Sequence, residues 1–153
     1  MLSVLPTWAL AFMNDLKDCE NRNYPWPGYY NKQLAWVAVV ASSRNSLEAE
    51  KKASTMAGRK VPTESKEYTC KNKCLGFALV GPTTHHSTNS KWAMNSFKYH
   101  WSVHRIFRLA QSIPGFDSSP GQMKPFTSQP EAVKKLEILQ KCVNGTATGY
   151  FVL

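Results

Sequence analysis

Residues 90–113 read SKWAMNSFKYHWSVHRIFRLAQSI, and whether this run is helical or extended decides the architecture of the chain. Tyr99, Val103, Ile106, Ala110 and Ile113 recur at alternating spacings of four and three. That rhythm places one apolar stripe on a helix, so the reading predicts a long helix over about 90–113, stopped by Pro114 and Gly115.

Working outward, the polar loop 83–89 precedes this helix, and before it Leu75, Phe77 and Leu79 alternate. The alternation predicts a strand or hairpin over 67–80, ended by Gly81-Pro82. Trp36, Val37, Val39 and Val40 make 34–41 a buried strand. Between them Ser46-Leu47-Glu48-Ala49-Glu50 opens a helix over 46–57 that ends at Gly58. A further helix is expected near 7–19 from Trp8, Leu10, Ala11, Phe12 and Leu16. It is followed by an aromatic loop, Tyr24 to Tyr30, whose two prolines and glycine exclude regular structure. That loop is either a recognition surface or a plug for the edge of the core. On the carboxyl side Ser128 and Glu131 have capping-box spacing, which predicts a helix over 129–143, and Asn144-Gly145 turns the chain into a terminal strand over 146–153. The fold expected is α+β: one compact domain over 1–153, with a small, mainly antiparallel sheet and three to four helices.

The chain has 153 residues, 42% of them hydrophobic and 19% charged. This suits a single folded core and excludes a disordered or fibrous chain. No stretch approaches the roughly 20 apolar residues of a membrane helix, so no membrane span is expected. The formal net charge is +9, and residues 51–110 account for all of it, with eleven basic side chains against Glu64 and Glu67. Within that region Lys71, Lys73, Lys91, Lys98, Arg105 and Arg108 lie among Trp92, Phe97, Tyr99, Trp101 and Phe107, the composition of a surface that follows phosphates. Nucleic acid is the partner expected, with an acidic protein as the alternative.

Cys19, Cys70, Cys74 and Cys142 are too sparse for a disulfide scaffold, and the apolar start Met1–Ala11 lacks the basic region and length of a signal peptide. An intracellular protein with reduced thiols is expected, and a nuclear one is compatible with that. Cys70 and Cys74 have three residues between them, as do His100 and His104. On a helix the two imidazoles would share one face, and two thiolates with two imidazoles form a closed tetrahedral set for structural zinc.

The run Tyr68-Thr69-Cys70-Lys71-Asn72-Lys73-Cys74, then Phe77, then Phe97-Lys98-Tyr99-His100-Trp101-Ser102-Val103-His104, resembles the two-Cys, two-His zinc fingers, and among them the BED-type finger. The resemblance spans residues 68–104 and departs from the pattern in the 25 residues between Cys74 and His100. That gap holds His85 and His86 as alternative ligands. It implies a zinc-clamped basic hairpin and helix over about 66–113, in which the ion organises and the cations bind.

The function expected is therefore a small, basic, non-enzymatic nucleic-acid-binding or regulatory protein with structural zinc. The alternative is a metal-free interaction module using the aromatic loop or the basic face. Two enzyme readings are weaker. His100-Trp101-Ser102-Val103 and His85-His86-Ser87-Thr88 loosely fit the motif of two-histidine phosphoesterases. Cys70 or Cys74 with His85 or His86 and Asn89 has the chain order of a Cys-His hydrolase.

Overall fold

In the computed structural model, residues 1–27, 30–44, 46–61, 70–82, 89–116, 134 and 150–151 are described. The sheet is organised around β3 (Ala35–Ala41), which is buried along its whole length. Small and β-branched residues suit such a two-sided position. Ala35, Val37, Val39 and Ala41 enter one apolar cluster, and Trp36, Ala38 and Val40 enter another on the opposite face. β1 (Leu2–Val4) lies parallel to the end of β3, and β6 (Tyr150–Phe151) lies parallel to its beginning. On its other edge β3 pairs antiparallel with β4 (Lys73–Gly81). The order continues through β5 (Tyr99–Pro114) to β2 (Cys19–Arg22), giving β1-β3-β4-β5-β2 with β6 beside β3.

Helix α1 (Pro6–Met13) follows β1 directly, and all of its residues except Trp8 are buried. Its apolar character all round reflects two partners. Ala9, Leu10, Phe12 and Met13 face the sheet, while Ala11 joins Ala53, Val61 and Trp92 on the outside. Pro6 occupies the first turn, where its missing N–H costs nothing. The helix ends at Asn14, whose Nδ2 donates to the Leu10 carbonyl at 2.8 Å, and Asp15 then turns with φ 52°.

Helix α2 (Leu47–Ala57) packs on α1 through Ala53, and Ala49 is buried as well. Ser46 Oγ accepts the Ala49 N–H at 3.1 Å, and Gly58 closes the helix in the left-handed region at φ 70°. The arrangement is a sheet, then α1, then α2. No helix among the described residues is long and apolar enough to cross a membrane.

Three expectations are corrected. The described residues contain two helices and a mixed sheet, in place of a mainly antiparallel sheet with three to four helices. The helix expected over 90–113 is the sixteen-residue strand β5. The helix expected over 7–19 ends at Met13, and its last residue opens β2. The helix expected over 129–143 falls outside the described residues apart from Lys134.

The physical cause of the largest error lies in the pairing of β4 with β5. Leu79 faces Arg105 and Val80 faces Val103, so His104 is an inserted residue, a β-bulge. Tyr99, Val103 and Ile106 all pack toward the α1 side of the sheet. An insertion turns a strand spacing of two into three, and 99, 103, 106 then imitates a helical stripe. A second break sets Leu75 opposite the four residues between Arg108 and Ile113. Past it, Leu109 and Ile113 serve the opposite core.

Candidate functional site

The zinc set is not assembled. Cys70 belongs to the cluster on the α1 side of the sheet and Cys74 to the cluster on the other. On a strand, residues four apart are about 13 Å apart along the chain, against about 6 Å between Cβ atoms on a helix. His100 and His104 therefore do not converge. His100 Nε2 lies 3.1 Å from the Met94 carbonyl, and His104 stands exposed at the bulge. Among the described residues no group of three or more His, Cys, Asp or Glu is placed to hold a metal ion. The zinc-finger resemblance is thus overturned; His85 and His86 lie outside the described residues.

Nor do Cys74 and Cys19 suit a nucleophile. Burial pushes the Cys74 thiol up to about 12, the Gly76 carbonyl being its hydrogen-bond partner at 3.5 Å. Burial likewise raises Cys19 to about 11. Neither is a thiolate at neutral pH. Ser102 Oγ donates to the Pro82 carbonyl at 2.8 Å, so the His100–Val103 motif is tied to the end of β4 within the sheet.

Among the described residues of the aromatic loop, Trp26 and Tyr30 plug the core. Trp26 and Tyr30 are buried and stacked at 4.6 Å, and Trp26 meets Trp101 edge-on at 5.1 Å.

Five of the six candidate phosphate-binding cations lie on or beside β4 and β5. Lys98, Arg105 and Arg108 are exposed at and along β5, while Lys71 and Lys73 lie at the start of β4, opposite Pro114 at the far end of β5. Lys91 stands apart, its Nζ 3.4 Å from the Ala57 carbonyl at the end of α2. Arg108 reaches Asn14 Oδ1 at 3.4 Å on the α1 side. Phe107, exposed between Arg105 and Arg108, faces the other way. β4 and β5 contain no Asp or Glu. His104 has its pKa lowered by partial burial and adds no charge at neutral pH.

A second site escaped the sequence reading. All four residues of β2, Cys19, Glu20, Asn21 and Arg22, are buried, and so is Lys17 just before it. Glu20 lies between two cations: its Oε2 is 2.9 Å from Lys17 Nζ and its Oε1 is 2.9 Å from Arg22 Nη2. Lys17 Nζ also donates to the Cys19 carbonyl and sits 4.4 Å from the centre of the Phe12 ring. Arg22 lies over Trp101 at 5.6 Å, and neither its Nε nor its Nη2 has a hydrogen-bond acceptor among the described residues, the Nη2–Glu20 contact being an ion pair without hydrogen-bond alignment. These residues border a cavity of about 260 Å³. Its other walls are Val4, Leu5 and Trp8, from the junction of β1 and α1, with Met94 and Phe97. Asn21 fixes that last wall, since its Nδ2 donates to the Trp92 carbonyl at 2.9 Å and its Oδ1 accepts the Met94 N–H at 2.9 Å. The signal in the sequence was slight: Glu20 and Arg22 sit two apart, as a pair on one face of a strand must.

Comparison with models of known protein families finds no matching family, and comparison with curated proteins finds no significant relative.

Proposed function

We propose that the protein is a non-enzymatic binding protein for single-stranded nucleic acid, with β5 as the element that follows the phosphate chain. The observation that carries this reading is that Arg105 and Phe107 are exposed together on the face of β5 away from α1, with Arg108 exposed on the α1 face, on a strand pair free of carboxylates. Cations strung along an extended strand match the linear repeat of a phosphate backbone, and an exposed aromatic on the same face as Arg105 offers a base a stacking surface. The binding needs no metal.

The test is fluorescence anisotropy with a labelled single-stranded RNA across a salt series. Wild-type affinity should fall linearly on a log–log plot, and the triple change Lys98→Gln, Arg105→Gln, Arg108→Gln should flatten the slope by about 2, since each phosphate contact to a single strand contributes about 0.7. Phe107→Ala should weaken binding by roughly 1–3 kcal/mol without altering the slope. Binding with an unchanged slope in the triple variant sinks the assignment.

A further inference from the structure

We infer that the cavity beside β2 is a binding site for a small organic anion: one carboxylate or sulfonate carried on an aromatic ring or a short apolar chain. The charge arrangement argues for the anion. Lys17, Glu20 and Arg22 are each more than nine-tenths buried. Both oxygens of Glu20 are already engaged, one by each cation. Among the described residues, one positive charge is therefore left without a carboxylate in a buried wall. The exposed Asp18 is turned elsewhere, accepting from Ser90 Oγ. Buried ions are tolerated when paired and costly when not, so a bound anion would relieve the cost of the buried surplus cation.

The amino end of α1 reinforces this. Leu5 and Trp8 stand in the wall, Leu5 provides no side-chain cap, and the first turn holds no acid, so the positive end of the helix borders the cavity uncompensated.

The remaining walls set the rest of the ligand. Val4, Leu5, Trp8, Met94 and Phe97 are apolar, and Asn21 spends both ends of its amide on the backbone of 92–94, so it holds a wall in place and leaves the ligand no amide to bind. At about 260 Å³ the space lies below the roughly 300–1,000 Å³ of sites for drug-sized molecules. One ring with an acidic arm suits it, and a nucleotide does not, so this site is separate from the surface proposed on β5.

The experiment is isothermal titration calorimetry with 3-phenylpropionate and, as the uncharged counterpart of the same shape, 3-phenylpropanol. Wild type should prefer the acid by at least about tenfold, about 1.4 kcal/mol. Lys17→Met removes the surplus cation while leaving Glu20 paired to Arg22, and should abolish that preference while the alcohol binds as before. Leu5→Trp, which fills the cavity and keeps every charge, should remove binding of both. Arg105→Gln with Arg108→Gln should change neither, which separates this site from any anion held on β5. Equal affinity for acid and alcohol in wild type, no binding of either at millimolar concentration, or a preference that survives Lys17→Met would each overturn the inference.

Discussion

Glu20 is the residue on which the charged wall depends, and neutralising it tests that dependence. Glu20→Gln keeps the size of the side chain and deletes the one negative charge between Lys17 Nζ and Arg22 Nη2, each 2.9 Å away. Two buried cations then face each other without a counter-charge. Breaking a buried pair from one side typically costs about 3–5 kcal/mol, and the side chains are too buried here for solvent to reduce that much. For a chain of this length the loss corresponds to a fall in Tm of roughly 6–20 °C. The opposite change should behave differently. Lys17→Met removes the surplus positive charge and leaves Glu20 with Arg22 while giving up the bonds to the Cys19 carbonyl and to Glu20 Oε2, so its cost should be smaller than that of Glu20→Gln. Urea unfolding followed by tryptophan fluorescence, with equal m-values required, measures both. A cost below about 1 kcal/mol for Glu20→Gln, or equal costs for the two variants, refutes the claim of a net buried positive charge.

Three further outcomes follow from the fold. Gly76→Ala should destabilise by about 2 kcal/mol or more in the same urea assay, because a Cβ there would run into the Phe107 carbonyl and lie 2.6 Å from Met13 Sδ, and the backbone half of that clash has nowhere to go. Ser46→Ala, which removes the acceptor for the Ala49 N–H, should cost about 1 kcal/mol, seen as a lower urea midpoint at unchanged m-value. Alkaline pH should weaken the fold. Cys74 and Cys19 hold their protons to about 12 and about 11, while the unfolded chain releases them near 8.5. Stability is therefore fully present below the ordinary thiol range and declines as pH rises toward those values, and a urea series from pH 8 to 11 should show a shallower decline in Cys74→Ala.

The sequence carried some of this well and some of it badly, for identifiable reasons. Strand β3 was legible because a short, mostly β-branched and aromatic run has few other ways to be buried, and α2 was legible because Ser46 and Gly58 mark its two ends chemically. The misreading of β5 came from one inserted residue at His104, which no periodicity measure separates from a helical turn. Its content of Tyr99, Trp101, Val103, Ile106 and Phe107 was the better guide, since β-branched and aromatic side chains favour strands. The cavity was illegible for a different reason. Charged residues read as surface, and Lys17, Glu20 and Arg22 are buried with Glu20 held between the two cations at a strand whose first residue sequence reading had assigned to a helix. The zinc reading failed because spacing fixes an angle only after the secondary structure is known.

The length of β5 has a mechanical meaning. Its first half supplies Tyr99, Trp101, Val103 and Ile106 to the apolar cluster under α1, and its second half supplies Leu109 and Ile113 to the cluster on the reverse face. One continuous backbone is thus threaded through both cores, with the register break between them acting as the crossing point. Neither core can come apart without pulling on the strand that seals the other. Amides near Trp101 and near Ile113 should therefore exchange with solvent through a single global opening, and the described sheet should melt as one cooperative unit.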